Sequence, residues 1–279
     1  MELDRWALAF TILPWPERQK AQVWASLQAG AAPRLDAESA RNLELLDIRA
    51  LRGQAEERGA RLCLPSDLEV APLLAELPYP VALWVRGSLP PRTLSLALVG
   101  SREPSSVGRE RARNWARELT QAGVGVLSGL ARGIDGAAHL GALEAGPTWG
   151  IMGSGLDHPY PPEHQGLMDR MVAAGGGVIT PFPPDAKPQK WHFPRRNWLL
   201  VAWTQGVVVL EAKLRSGSLV TARLALDLGR ELWVCPGAPE NLLAEGPNAL
   251  LREGAARVCR SVPDLLEDLQ GLPLGINRP

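Results

Sequence analysis

The sequence between residues 96 and 270 alternates short apolar runs with longer segments of helical periodicity. The apolar runs, which we predict to be strands, cover residues 96–100, 124–128, 148–152, 178–182, 207–211 and 232–235. Predicted helices separate or follow them at residues 107–122, 135–144, 163–174, 194–203, 218–228, 247–253 and 263–270. Strands that are apolar on both faces are typical of parallel sheets that helices cover on both sides. The alternation therefore predicts an α/β fold built on an extended parallel sheet.

The segment before this pattern has a different character. Residues 1–75 carry leucines at roughly helical spacing, and we predict a small helical N-terminal domain there. Residues 76–94 combine one short strand with proline turns, which is typical of a linker segment. The 279 residues suffice for this small domain and one large domain over 76–270, with a tail at 271–279.

Composition and missing motifs exclude several classes of protein. Lys plus Arg and Asp plus Glu number 30 each, so any nucleic-acid site must gather its positive charge locally. The three cysteines are scattered, no residue cluster has metal-ligand spacing, and the P-loop and dinucleotide fingerprints are missing. The N-terminus does not follow the signal-peptide pattern, and no apolar run reaches the ~18 residues of a membrane span. We therefore expect a cytoplasmic protein with no metal, no cofactor and no membrane contact.

Glycine-rich loops follow several predicted strands, and ligands bind at the carboxyl ends of strands in open parallel sheets. Gly100, Ser101 and Arg102 follow the first strand. The amides at the start of the next helix favour an anion there, and Arg102 can complete the clamp. Two further loops of this kind contain Gly129, Arg132, Gly133, Ser216 and Gly217. Each loop taken alone is also compatible with an ordinary capped turn.

Asp135 and His139 lie four residues apart and can share one helix face. An enzyme would use such residues as an acid–base pair. An Asp that caps the helix and a hydrogen-bonded core His explain the same spacing, and we favour this second interpretation.

The densest basic segment covers residues 187–198. It interleaves four cations with three aromatic residues: Lys187, Lys190, Arg195 and Arg196 with Trp191, Phe193 and Trp198. Single-stranded nucleic acid suits that combination, because cations follow the phosphates and aromatic rings stack on bases. A solvated charge run above buried aromatic residues is an equally good interpretation of the composition.

Taken together and in this order, the loops resemble the DprA/Smf family of DNA-processing proteins. The matching stretches are Val99-Gly100-Ser101-Arg102, Ser128-Gly129-Leu130-Ala131-Arg132-Gly133-Ile134-Asp135 with Ala138-His139, Gly155-Leu156-Asp157 with Tyr160-Pro161, Phe193-Pro194-Arg195-Arg196-Asn197, Glu211-Ala212 with Ser216-Gly217-Ser218, and Pro236-Gly237. Several linked motifs over about 160 residues make the resemblance specific.

The resemblance implies an extended Rossmann-like domain that binds and protects single-stranded DNA and loads the RecA recombinase onto it during natural transformation. It also implies a homodimer formed through the later part of the domain, no enzymatic activity, and single-strand-binding protein as a further partner. By position, the predicted DNA-binding residues are Gly100, Ser101, Arg102, Gly129, Arg132, Gly133, Lys190, Phe193, Arg195, Arg196, Asn197, Ser216 and Gly217.

Three features depart from the family pattern. Trp198 stands where the family usually has Arg, and Pro181 stands where it favours Glu. Many members also carry a C-terminal winged-helix domain, whereas the folded pattern here stops near residue 270.

The alternative function is nucleotide hydrolysis by a lysine-decarboxylase-like Rossmann enzyme. That group carries a Pro-Gly-Gly-x-Gly-Thr run followed by a catalytic Glu. The comparable stretch here, residues 215–221, has no acid close behind it, so we favour the DNA-binding interpretation. A third interpretation is a partner-binding domain with vestigial loops.

Overall fold

A computed structural model describes residues 2–13, 15–74 and 77–270. The predicted tail at 271–279 and the predicted boundary between residues 75 and 76 lie outside the described residues.

The described residues form nine strands, twelve α-helices and one 3₁₀ turn. The strands are β1 (Arg61–Cys63), β2 (Leu83–Gly87), β3 (Ser95–Val99), β4 (Gly125–Ser128), β5 (Thr148–Ile151), β6 (Gly177–Thr180), β7 (Gly206–Val209), β8 (Glu231–Val234) and β9 (Arg257–Val258). The helices are α1 (Glu2–Ile12), α2 (Glu17–Gln28), α3 (Ala37–Glu44), α4 (Ile48–Glu56), α5 (Ala71–Leu74), α6 (Ser106–Gln121), α7 (Ile134–Ala142), α8 (Gln165–Ala173), α9 (His192–Ala202), α10 (Gly217–Asp227), α11 (Glu245–Arg252) and α12 (Val262–Gln270), and the 3₁₀ turn is Pro162–His164.

All nine strands belong to one sheet, in the order β1-β2-β6-β5-β4-β3-β7-β8-β9. The seven strands from β6 to β9 are parallel, whereas β2 pairs antiparallel with β6 and β1 pairs antiparallel with β2. The predicted α/β class and mostly parallel sheet are confirmed. The strand expected within residues 76–94 is β2. We did not predict β1 and β9, which have only three and two residues and so show no periodicity.

Helices cover both faces of the sheet, as the apolar strands require. In β3, Leu96 and Leu98 pack with α6, α7 and α12, while Ala97 and Val99 pack with α9, α10 and α11. Trp6 and Phe10, the aromatic residues of α1, belong to the same hydrophobic core as Ala97 and Val99. The N-terminal region therefore packs on the same side of the sheet as α9. Among the described residues, no helix combines the length and apolar character needed to cross a membrane.

On the face of the sheet that α6 and α7 cover, Gly141 of α7 lies directly against the backbone of α6. A Cβ atom built on Gly141 would overlap with the backbone carbonyl of Arg113 in α6. We expect Gly141→Ala to lower the free energy of unfolding by ~1–3 kcal/mol, because two packed backbones must move apart. Thermal or urea unfolding measures the change.

The control for this prediction is Gly53→Ala in α4, where a Cβ atom would meet nothing within 4 Å. Alanine is the better helix former, so this variant should gain ~0.5–1 kcal/mol. Equal stability of the two variants would contradict a tight α6–α7 contact.

Candidate nucleic-acid interface

A cavity of about 510 Å³ opens at the carboxyl ends of the central strands. β3 leads through α6 to β4 on one side, whereas β7 lies on the other side of β3 and leads through α10 to β8. The two connections diverge here, which makes this the topological switch point where open α/β sheets bind ligands. The predicted residues that line the cavity are Gly100, Ser101, Arg102, Gly129, Phe193, Arg196, Asn197, Ser216 and Gly217. The fold thus brings together nine residues from four segments of the chain.

Arg102, which is exposed, and Phe193, which is half-buried, form a cation–aromatic pair in the cavity. The Arg102 guanidinium lies 5.4 Å from the centre of the Phe193 ring, and the centres of the Tyr160 and Phe193 rings lie 5.8 Å apart. A shallow depression lined by Arg102, Gly129, Phe193, Tyr160 and Arg132 adjoins the cavity here. The arrangement can hold a phosphate on Arg102 and stack a planar base on an aromatic ring.

Arg196 is a buried cation in the wall of the cavity. Its Nη1 donates to the Ile151 carbonyl at 2.7 Å, while its Nε has no hydrogen-bond partner within the described residues. A side chain at Gly129 would overlap with this guanidinium, so glycine is required for the close approach. Burial lowers the pKa of Arg196 to about 10, although the Asp135 carboxylate opposes the shift. Arg196 therefore remains a cation near neutral pH.

Asp135 also lines the cavity. Burial raises the pKa of this carboxyl, and the Arg196 guanidinium and the hydrogen bond from the Ala131 amide act in the opposite direction. Asp135 therefore takes up a proton at a higher pH than an exposed aspartate does. Its charge opposes an anion in the cavity only where it is ionised.

The N-terminus of α6, which we expected to bind an anion through its amides, already holds one. The Glu211 carboxylate accepts hydrogen bonds from the Ser105 amide at 2.8 Å and from the Ser105 hydroxyl at 2.6 Å. The Ser105 hydroxyl in turn accepts from the Gly108 amide at 2.9 Å. A buried carboxylate from the loop after β7 thus lies where we expected an anionic ligand. Arg102 remains available at the cavity wall.

The N-terminus of α10 contrasts with that of α6. Its N-cap residue Ser216 makes no side-chain cap hydrogen bond, and its hydroxyl lies 2.9 Å from that of Ser218. Two exposed cations from the same loop, Lys213 and Arg215, line the cavity beside it. This end of the cavity therefore combines helix amides, hydroxyls and positive charge, which together favour phosphate.

Lys213, Arg215 and Tyr160 line the cavity or the depression but were not among the predicted site residues. The signal that could have found the two cations is their place in the loop after β7, at the switch point. Tyr160 had no signal beyond its family motif, because only the folded chain brings it to Phe193.

Four predicted site residues lie outside the cavity lining. Arg132 lines the adjoining depression and forms an ion pair with Glu163, and Gly133 lines a neighbouring groove. Lys190 is exposed in the loop before α9. Arg195 is buried and points away, donating through Nη2 to the Phe10 carbonyl of α1 at 2.7 Å.

The basic segment therefore divides between two environments. Its lysines are exposed in a loop, whereas its arginines are buried at the start of α9. Trp198 packs against the hydrophobic core and does not line the cavity, so it does not replace the missing cation there. Pro181 is buried after β6, and nothing in the structure explains its difference from the family pattern.

His139 is not positioned for acid–base chemistry. It is fully buried, and its Nδ1 lies 2.9 Å from the Thr148 hydroxyl, which donates to the Val126 carbonyl. Because that hydroxyl proton is used, Nδ1 must donate to Thr148. Burial lowers the pKa of His139 to about 3. A neutral core histidine agrees with the interpretation that we favoured, although the N-cap of α7 is Gly133 and not Asp135.

A family model described as DNA recombination-mediator protein A matches residues 62–270. The chain belongs to this family. It is 43% identical over 211 residues to Protein Smf of Escherichia coli, which covers 74% of this chain and 56% of that protein. It is 37% identical over 193 residues to DNA processing protein DprA of Bacillus subtilis, which covers 68% of this chain and 64% of that protein. The chain thus spans 56% of the length of the first relative and 64% of the length of the second.

Two solved structures share the fold. DNA processing protein A from Streptococcus pneumoniae is similar with a TM-score of 0.77 and 28% identity, covering 95% of each chain. DNA processing protein A from Helicobacter pylori, described for its single-stranded DNA binding mode, is similar with a TM-score of 0.64 and 28% identity. That similarity covers 71% of this chain and 91% of the other.

Proposed function

We propose that this chain binds single-stranded DNA in the cavity at the switch point, without an enzymatic activity of its own. The observation that carries the proposal is the lining of the cavity. Arg102, Lys213 and Arg215 supply positive charge, Phe193 supplies a stacking surface, and α10 begins at Ser216, whose side chain does not cap the helix amides. Membership of the recombination-mediator family and the similarity to a relative described as binding single-stranded DNA support the same function.

The stacking surface and the size of the cavity favour a single strand over a duplex. A rigid duplex presents its bases to each other, whereas a single strand can place a base on Phe193 while its phosphates reach the cations. The cations and the ring lie within one cavity of about 510 Å³, which accommodates a few nucleotides but not a double helix.

Titration of fluorescent oligo-dT and of a duplex of equal length, each at two salt concentrations, tests the proposal. We expect tighter binding of the single strand. With the three cavity cations alone and a slope of about −0.7 per contact, its affinity should fall at least roughly 18-fold between about 50 and 200 mM salt. Absence of binding at low salt would refute the proposal. Hydrolysis of nucleoside monophosphates would favour the alternative enzyme.

We further propose that the chain acts as a homodimer that loads RecA onto the bound strand and receives that strand from single-strand-binding protein. The description of the family as recombination mediators supports this. The measurement is the DNA-dependent ATPase activity of RecA on a strand coated with single-strand-binding protein. We expect the chain to raise the activity and the Arg102→Ala variant to fail to do so.

Asp135→Asn should strengthen DNA binding about 3- to 10-fold at pH values where Asp135 is ionised, because it removes a buried negative charge from a cavity that accepts phosphate. The wild-type affinity should fall as the pH rises through the raised pKa of Asp135, and the variant should show less of this fall. Measurements of the affinity of both proteins as a function of pH report both effects. The control is Asp227→Asn at the far end of α10, which should change neither. Weaker binding by Asp135→Asn would show that the carboxylate has a positive role.

A further inference from the structure

A second groove, of about 590 Å³, lies along α6 and α7, which cover one face of the sheet. Three arginines of α6 line it, namely Arg109, Arg113 and Arg117. They are spaced four residues apart, so each lies about 6 Å further along the helix than the last. They form a ridge of positive charge that the proposed DNA cavity does not include.

The charges of the ridge are partly neutralised. Arg113 and Arg117 both pair with Glu144 of α7. Arg109 makes no ion pair within the part of the chain that the structure describes, and its side chain is exposed. Glu110 also lines the groove. Three arginines against two glutamates leave a net positive charge of 3 − 2 = 1 along the groove.

The Arg109 end of the groove is also the end next to the cavity. Ser106 and Gly133 line the groove there. Gly133 ends the loop whose other residues, Gly129 and Ala131, line the cavity. Arg132, between them in sequence, is exposed and lines the adjoining depression. Arg102, Arg132 and the α6 ridge thus follow one another along this surface, with Arg132 paired with Glu163.

We propose that the α6 groove holds the phosphate backbone of the single strand where it leaves the cavity. This inference rests on the proposed function. The repeat of cations at about 6 Å along a groove suits a chain of phosphates. The groove begins beside the 129–133 loop, which also lines the cavity, and this favours a continuing DNA strand over an acidic peptide as the occupant.

The test compares a short oligo-dT of about 4 nucleotides, the lower end of the ~4–16 nucleotides that one OB fold binds, with a long one of about 20 nucleotides, beyond the upper end of that range. The variant is the triple Arg109→Gln, Arg113→Gln, Arg117→Gln. We expect it to bind the short strand within twofold of wild type and the long strand roughly 5- to 50-fold more weakly. Its salt slope for the long strand should fall by about 2, since three contacts at about 0.7 each are lost.

The matched control removes the same charge elsewhere, with Arg5→Gln, Arg41→Gln and Arg92→Gln at exposed positions. It should bind both strands nearly as wild type does. The single variant Arg109→Gln leaves both pairs with Glu144 intact, so it still reports on the groove if the triple variant does not fold.

Wild-type affinity of the triple variant for the long strand would overturn the groove proposal and leave the proposed function standing. Absence of wild-type binding to either strand would refute the proposed function and the groove together. If the triple variant kept its DNA affinity but lost binding of polyglutamate, the groove would be a site for acidic peptides and the proposal would be wrong.

Discussion

Arg102→Ala should weaken binding of single-stranded DNA roughly 10- to 100-fold. The guanidinium is exposed at the cavity wall and lies 5.4 Å from the Phe193 ring centre. Its loss removes a charged hydrogen-bond donor, which typically contributes ~1.5–3 kcal/mol, and the cation that borders the stacking surface. Fluorescence anisotropy with labelled oligo-dT measures the affinity, and the salt slope should fall by about 0.7.

The control for Arg102→Ala is Arg92→Ala. Arg92 is an exposed arginine that precedes β3, whereas Arg102 follows it, so the two lie at opposite edges of the sheet. We expect Arg92→Ala to change the affinity less than twofold, and both variants to unfold at the wild-type temperature. Equal affinities of the two variants would show that the cavity is not the DNA site.

Arg195→Met should lower the free energy of unfolding by about 2–4 kcal/mol while leaving the DNA affinity of the folded protein nearly unchanged. Arg195 donates to the Phe10 carbonyl in the last turn of α1 and lies 5.5 Å from the centre of the Phe182 ring. A cation there satisfies a buried carbonyl and opposes the negative end of the helix dipole. Methionine keeps much of the apolar volume but leaves the carbonyl without its charged donor. Chemical denaturation measures the loss.

Arg170→Met provides the comparison, because Arg170 is exposed on α8. Its unfolding free energy should change by less than about 0.5 kcal/mol. If Arg195→Met instead kept wild-type stability and lost DNA affinity, Arg195 would belong to the binding site as its sequence motif predicted.

Much of the fold could be predicted because each central strand buries both of its faces. An apolar run such as 96–100 therefore shows in the sequence, and the observed strand Ser95–Val99 differs from it by one residue at each end. β9 could not be predicted, because its two residues are exposed and its position depends on pairing with β8. The antiparallel attachment of β2 depends in the same way on pairing with β6, far along the chain, and β1 joins the sheet only through β2.

The site could be predicted as a set of loops but not as an arrangement of side chains. Loops that follow parallel strands all lie at one edge of the sheet, so nine of the thirteen predicted residues line one cavity. Lys213 and Arg215 complete that lining, although neither stood out among the charged residues of the sequence.

The sequence by itself determined the alternation of strands and helices and the edge at which the glycine loops meet, because both follow from local apolar runs. Only the tertiary structure decided which helix ends are available and which cations face the cavity. Glu211 reaches Ser105 across 106 positions of sequence and fills the N-terminus of α6. Arg195 and Arg196 are neighbours in one helix, yet one donates to α1 and the other lines the cavity. Neighbouring residues in a helix point about 100° apart, so their roles depend on what the fold packs against each side.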